Sequence, residues 1–204
     1  MREINHIAEL LTEPQLISLD MDDPATNTQL AKELFEDVTE KLWETATHIM
    51  FRTISGEDGC FSLYNKTTRQ LDYVVNAVPQ HSEFTGDFVT QTAVWRNTDI
   101  PATVGLSKKI FFNYILKMRG IVVCHNRQTV DGQRFWLLRM TEADERGLMV
   151  GVLDVHSGII GWCPTGEIDT WMPDQMHYWS IAARSADFRF IIAEPGIIKK
   201  NLGK

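Results

Sequence analysis

The stretch VGLSKKIFFNYILKMRGIVVCHNRQTVDGQRFWLLRM, residues 104–140, decides the fold class of this chain. Its first part carries apolar residues at three- and four-residue spacing and stops at Gly120, which predicts an amphipathic helix. The β-branched run 121–123 then predicts a short strand that is buried on both faces. After that strand, Thr129 is placed to cap a second helix with an aromatic pair on its apolar side. The stretch therefore predicts a helix, a strand and a helix that pack on a sheet.

Composition is that of an ordinary globular protein whose main partner is not nucleic acid. The 204 residues are 44% hydrophobic and 23% charged, which is enough for a substantial core without disulfides. The formal net charge is -7, and the isoelectric point calculated from the sequence is about 5.3. Because Lys and Arg are not in excess, we do not expect the chain to bind nucleic acid through its phosphates.

Cysteine usage and the N-terminal sequence predict a cytoplasmic protein. The three cysteines are widely separated and form no CxxC pair, a pattern that is typical of a reducing compartment. Residues 1–15 lack the apolar core of a signal peptide, and no window approaches eighteen consecutive apolar residues. We therefore expect no membrane insertion.

The rest of the chain predicts strands on both sides of the central stretch. A long helix is expected from about residue 27 to residue 47, with clustered carboxylates on its solvent face. Alternating patterns predict strands near 49–53, 60–65, 70–78, 88–95, 148–155, 158–163 and 188–193, with a polar loop at 79–86 and helical stretches within 167–183. No linker or repeat interrupts this order, so we expect a single α+β domain over residues 1–204, with a mixed, mostly antiparallel sheet flanked by helices.

The order of these elements resembles the GCN5-related N-acetyltransferase (GNAT) fold. The strand that leads to Asn126, followed by a helix with Phe135 and Trp136, is similar to the family segment that flanks the acyl-CoA thioester. The form IVVCHNRQTVDGQRFW also resembles acetyltransferase-like proteins of bacteriophages. The resemblance implies acetyl-CoA as the cofactor, with Asn126 as the catalytic candidate that orients cofactor or substrate. It also implies phosphate-binding residues in the loop after the fourth strand: Gly105, Lys108 and Lys109.

Departures from the family pattern argue against acyl transfer. The family loop is Gln/Arg-x-x-Gly-x-Gly/Ala, whereas this chain has RNTDIPATVGLSKK, in which Pro101 removes a backbone donor and Asp99 would face an anion. The strand 88–95 offers no carboxylate base, and Asp87 stands only at its start. Aromatic residues without a hydroxyl stand where the family has its tyrosine acid. The sequence therefore favours a fold that has lost its cofactor, with acetyl-CoA retained only in the enzyme interpretation.

Aromatic residues and methionines accumulate in the C-terminal segment, about residues 156–204. Such side chains bury a large apolar area at a small entropy cost, which is typical of partner-binding surfaces. The alternative is that they cover the open side of the sheet as core. The candidates for partner binding are Trp162, Trp171, Met172 and Trp179.

Cysteine and histidine residues also allow a thiol nucleophile or a zinc site to be considered. Cys124 is followed by His125, and His156 and Cys163 come later in the chain. Their spacing matches neither motif, and Cys124 follows a buried apolar run, so we expect a core cysteine and no metal site.

Three functional hypotheses follow from the sequence. The first is a phage-type GNAT-like protein that has lost acyl transfer and binds a protein partner, as a virion component or as a factor that modulates a host protein. The second is an active acyl-CoA-dependent N-acyltransferase that acts on an unknown amine. The third is a nucleic-acid-associated factor, which the acidic charge disfavours. Homo-oligomerisation is left open, and a phage protein could reside in the host cytoplasm or in the virion.

Overall fold

The computed structural model describes residues 21–55, 58–124, 130–175, 178 and 187–197. It shows a mixed α+β chain with a mostly antiparallel open sheet and helices, which confirms the predicted fold class at this level. The described residues divide into two compact units. The first unit contains 21–55, 58–79 and 91–114, and the second contains 80–90, 115–124, 130–175, 178 and 187–197.

The helices and strands have the following bounds. The helices are α1 (Pro24–Glu36), α2 (Leu106–Ile110), a π-helical segment (Phe111–Ile115), α3 (Leu116–Arg119), α4 (Val130–Glu145) and α5 (Ile168–Gln175). The strands are β1 (Val38–Glu44), β2 (His48–Ser55), β3 (Asp58–Asn65), β4 (Gln70–Ser82), β5 (Gly86–Arg96), β6 (Ile121–Val123), β7 (Met149–Asp154), β8 (Ile160–Trp162) and β9 (Phe188–Ala193). A 3-10 turn spans Pro101–Thr103.

Helix α1 opens the described part of the first unit and is well capped. The Asp23 carboxylate accepts hydrogen bonds from the backbone N–H of Thr26 at 2.8 Å and from its hydroxyl at 2.7 Å. Leu30 and Leu34 then pack against a buried cluster that contains Phe51. Apolar contact with the sheet and N-terminal capping together fix this helix.

The predicted helix over 27–47 is wrong in its second half. The helix ends at Glu36, and residues 38–44 form β1, which pairs antiparallel with β2. The apolar residues Val38 and Leu42 are four residues apart, and a spacing of four keeps two side chains on one face of a helix or of a strand. The spacing therefore does not distinguish a helix from a strand. Pairing with β2 makes this segment a strand.

The sheet of the first unit is an antiparallel meander. Its strands follow the hydrogen-bonded order β1-β2-β3-β4-β5, with β2 and β3 in continuous register from His48↔Asn65 to Ser55↔Asp58. The β3–β4 hairpin around Lys66 confirms the predicted strands near 60–65 and 70–78. Strand β4, however, continues to Ser82 through the start of the predicted polar loop, because extended backbone accepts the fixed φ of Pro79.

The sheet of the second unit contains the central strand. Its order is β5-β6-β9-β7-β8, in which β5 and β6 are parallel through Val89↔Val122 and Thr90↔Val123. Strand β9 lies between β6 and β7 and is antiparallel to both. All three residues of β6 are buried, as predicted. The buried cluster on one face comprises Phe88, Ile121, Val123, Leu153, Val155, Ile191 and Ala193.

The two helices of the central stretch are confirmed with one difference. The first helical segment ends at Gly120, whose φ of 73° and N–H bond to the Leu116 carbonyl form the expected C-terminal cap. A π-helical segment interrupts it, which the three- and four-residue spacing did not predict. In α4, Trp136 and Met140 are buried as predicted. The proposed cap Thr129 lies outside the described residues.

Hydrophobicity along the helices does not indicate membrane insertion. Within the part of the chain that the structure describes, every helix is too short or too polar to cross a bilayer.

Gly158→Ala is expected to lower the free energy of unfolding more than Gly147→Ala does. Both glycines have a φ of +71°, so each substitution carries a similar backbone cost of about 1 kcal/mol. A Cβ at residue 147 would meet nothing within 4 Å, whereas one at residue 158 would lie 2.1 Å from Cδ1 of Phe84. We expect an additional loss of about 1–3 kcal/mol at residue 158 from this overpacking.

Urea unfolding of the two alanine variants measures this difference, because the Gly147 variant isolates the backbone cost. Equal losses in the two variants would contradict the packing of Phe84 on Gly158.

Candidate functional site

The loop in which the family resemblance places phosphate-binding residues forms hydrogen bonds among its own polar groups. The Thr103 hydroxyl donates to the carbonyls of Asn97 at 3.0 Å and of Ile100 at 2.8 Å. The Asp99 N–H donates to the side-chain oxygen of Asn97 at 3.1 Å, while the Asp99 residue is exposed. An exposed carboxylate in this loop disfavours an anionic ligand.

The predicted cofactor-binding residues lie at the start of the helix that follows this loop. Gly105 precedes α2 with nothing within 4 Å of its Cβ position, and Lys108 is half-buried. The Lys109 ammonium lies 5.0 Å from the centroid of the Trp43 ring, a cation–π contact with β1. Lys109 therefore contacts an aromatic ring within the first unit, and phosphate binding by Gly105, Lys108 and Lys109 stays a prediction.

The candidate catalytic residue Asn126 lies outside the described residues. Asp87, the carboxylate at the start of β5, forms an exposed pair with His81 at 2.7 Å between its Oδ1 and the His81 Nδ1. Phe135 is half-buried beneath the Arg139 guanidinium, and Trp136 is fully buried. Neither aromatic side chain carries an acidic proton, so these two positions of α4 supply no acid for acyl transfer.

The predicted partner-binding residues divide between surface and core. Met172 is buried, and Trp171 on the same helix α5 is half-exposed. Trp162 is half-buried on β8 and packs against the buried cluster of the second unit. A Cβ on Gly151 would lie 2.8 Å from Cε3 of Trp162, so the indole covers this glycine. Trp179 lies outside the described residues.

Strand β8 forms the outer end of the sheet order in the second unit. It pairs with β7 through Leu153↔Ile160, Val152↔Gly161 and Gly151↔Trp162. The Asp154 N–H donates to the Ile159 carbonyl at 2.9 Å, and the Cys163 N–H donates to the Val150 carbonyl at 2.8 Å. Because antiparallel bonding alternates along a strand, the backbone groups of Ile160 and Trp162 point away from β7.

We call Ile159, Ile160, Gly161 and Trp162 the β8 edge. Ile159 is 70% exposed, and within the described ranges no strand pairs with the outer side of β8. An edge strand with unpaired backbone groups and an exposed apolar residue is a template for an additional strand. The exposure of Ile159 is not predictable from the sequence, because in the run Gly158-Ile159-Ile160 both isoleucines fit a buried strand.

Carboxylates stand beside the C-terminal end of the β8 edge. Burial, followed by the charges of Asp144 and Glu167, raises the pKa of the Cys163 thiol to about 11. Asp144 also accepts the Gly166 N–H at 2.9 Å. At the other end, the turn after β7 is held by Asp154, which accepts the His156 N–H, and His156 pairs with Asp187 at 2.7 Å. Negative charge beside the edge favours a basic partner segment.

The Cys124 thiol is buried and hydrogen-bonded. The Cys124 sulfur accepts the Phe190 N–H at 3.1 Å, and burial raises the pKa of this thiol to about 11. No group of three potential metal ligands occurs among the residues that the structure describes. His125 lies outside those residues. Cys124 is thus a core residue, as predicted.

Cys124 is expected to resist alkylation in the native protein, because the thiolate is the reactive form and is scarce here. We expect iodoacetamide at about pH 8 to leave Cys124 unmodified in buffer and to modify it in urea. Peptide mass spectrometry measures the difference. Rapid native modification of Cys124 would show an accessible, acidic thiol and would contradict the buried position.

Comparisons with family models, with curated proteins and with solved structures find no match to this chain.

Proposed function

We propose that this chain is a phage-type GNAT-like protein that has lost acyl transfer and acts by binding a protein partner. The element order supports the GNAT-like assignment from β2 onward: antiparallel strands, then β5, the helical segments of residues 106–119, β6, α4, β7 and the closing strand β9. Strand β8 and helix α5 are additions between the last two of these strands. The partner is a component of a virion or a host protein.

The exposure of Ile159 beside the open edge of β8 is the observation that supports partner binding most directly. A partner strand would pair with the outward backbone groups of Ile160 and Trp162, and its apolar side chains would cover Ile159. The half-exposed Trp171 adds aromatic area in the same C-terminal segment. The carboxylates Asp144 and Glu167 favour basic residues in that partner.

Affinity capture with paired variants tests this proposal. Immobilised wild-type protein, Ile159→Lys and the control Leu138→Lys are exposed to a bacterial lysate, and captured proteins are quantified by mass spectrometry. Leu138 is matched because it is also a large exposed apolar residue of the second unit, with 60% exposure on α4. We expect at least one protein to be captured by wild type and by Leu138→Lys, and to be lost with Ile159→Lys.

Two results would count against the proposal. Equal capture by all three proteins would show that the β8 edge is not the binding surface. Robust turnover of acetyl-CoA with an amine acceptor would show that the chain retains acyl transfer.

The alternative of an active N-acyltransferase is supported by the open space around Gly105. The amide groups at the start of α2 and the Lys108 ammonium would then receive a phosphate. Binding of acetyl-CoA would be required for this alternative.

A further inference from the structure

A polar chain of three residues connects the surface of the β1–β2 turn to the interior of the first unit. The Thr47 hydroxyl lies 2.8 Å from Nδ1 of His48, and Nε2 of His48 lies 2.9 Å from Oδ2 of Asp72. Thr47 is exposed, whereas His48 and Asp72 are buried. The order of groups is hydroxyl, imidazole and carboxylate, with the hydroxyl at the surface.

The direction of the hydrogen bonds follows from the carboxylate. Asp72 Oδ2 also accepts the side-chain amide of Asn65 at 2.9 Å, so two donors converge on this oxygen. A carboxylate accepts, which places the proton of a neutral His48 on Nε2 and leaves Nδ1 as an acceptor. The Thr47 hydroxyl then donates to Nδ1. This is the arrangement in which an imidazole can remove a proton from a hydroxyl nucleophile.

We propose that Thr47 is a nucleophile that His48 activates as a general base, in a second site that takes activated carboxylic esters. Asp72 is the positioning residue, because it holds the imidazole in the required tautomer. None of these three residues belongs to the β8 edge or to the loop RNTDIPATVGLSKK.

The surroundings of Thr47 fit an exposed ester rather than a buried ligand. Ala46 and Thr47 lie in an exposed turn, and their backbone N–H groups donate to no other described residue, so they are available to an oxyanion. The Lys66 ammonium anchors this turn by donating to the Thr45 carbonyl and the Glu44 carboxylate, each at 2.6 Å. The Lys66 N–H donates to the Thr47 carbonyl at 2.8 Å, which fixes the backbone of the nucleophile.

The reaction balances without an added oxidant or reductant. Thr47 Oγ1 bonds to the ester carbonyl carbon while its proton passes to His48 Nδ1. Collapse of the tetrahedral intermediate breaks the bond to the alcohol oxygen, and the alcohol takes that proton. Water then attacks the acyl-Thr47 ester, again passing a proton through Nδ1, and releases the carboxylic acid and the free hydroxyl.

The test uses p-nitrophenyl acetate with the full chain and maps the acetylated residue by peptide mass spectrometry. We expect an acetyl group on Thr47 and a hydrolysis rate about 100-fold higher in wild type than in Thr47→Ala. Thr47→Ser is expected to retain the reaction. Thr170→Ala is the control, because this exposed hydroxyl of α5 donates only to a backbone carbonyl and is not adjacent to a histidine.

Substitution of Asp72 distinguishes its role in positioning the His48 imidazole from its role in stabilising the fold. In Asp72→Asn, an amide that donates to Nε2 moves the imidazole proton to Nδ1, and we expect the hydrolysis rate to fall about 100-fold, to that of Thr47→Ala. The nitrogen NMR shifts of His48 report this change of tautomer, which loss of packing alone would not produce in a folded variant.

The proposal would be overturned by acetylation confined to lysines, by equal acetylation of Thr47 in urea and in buffer, or by a wild-type rate no higher than that of Thr47→Ala. Because Thr47 is exposed, Thr47→Ala and Thr47→Ser keep the test decisive even if the buried variants do not fold.

Discussion

Asp72→Ala is expected to lower the free energy of unfolding by about 3–5 kcal/mol. The Asp72 residue is 3% exposed and accepts from both His48 and Asn65. Removal of the carboxylate leaves two buried donors without their acceptor, and each carries a desolvation penalty. Asn65 in turn accepts the Thr67 and Thr68 N–H groups at the β3–β4 turn, so the loss extends to that hairpin.

Urea unfolding followed by circular dichroism measures this loss. Asp99→Ala is the control, because Asp99 is exposed in a loop of the same unit, and we expect its effect to stay within about 0.5 kcal/mol. A loss for Asp72→Ala as small as that of the control would mean that the network does not exist in the folded protein.

Trp136→Ala is expected to lower the free energy of unfolding by about 3–5 kcal/mol, the cost of a large cavity in a packed interior. Trp136 is 1% exposed and is among the largest fully buried side chains of the described residues. It lies on α4, which also buries Met140 and Ala143 in the second unit. Removal of the indole therefore takes away apolar area that no other side chain replaces.

Leu138→Ala provides a matched control on the same helix. Leu138 is 60% exposed, so its truncation is expected to change stability by no more than about 0.5 kcal/mol. Chemical unfolding of both variants reports the difference. Similar small losses would place the indole at the surface and would contradict the orientation of α4.

Local signals made the central stretch predictable. Gly120 ends the first helical segment because its left-handed conformation suits a glycine, and the run 121–123 is β-branched and buried. Cys124 continues this apolar run and is buried as predicted. In each case, the residue and its near neighbours in sequence carry the information.

Features that depend on distant partners were not predictable. Val38 and Leu42 fit a helix and a strand equally, and only pairing with β2 shows the strand. The bond of His48 to Asp72 spans 24 residues, and the contact of Phe84 with Gly158 joins segments that no motif relates. These arrangements are set by tertiary contacts, which override local propensity.

The candidate site was also predictable only in part. The aromatic content of the C-terminal segment predicted either a partner surface or core that covers the sheet. Met172 is buried, whereas Ile159, which the pattern placed in a strand, is exposed. Apolar composition predicts that a segment will bury area, but it does not say whether the area faces the chain's own core or a partner.

We propose that this chain binds a protein partner and does not use an acyl-CoA cofactor. Thermal unfolding with increasing acetyl-CoA or CoA tests whether the cofactor binds, because a ligand that binds only the folded state raises stability by mass action. We predict no change in the melting temperature at millimolar ligand. A saturable increase that is lost in Lys108→Glu would contradict the claim and would establish a working cofactor site at the start of α2.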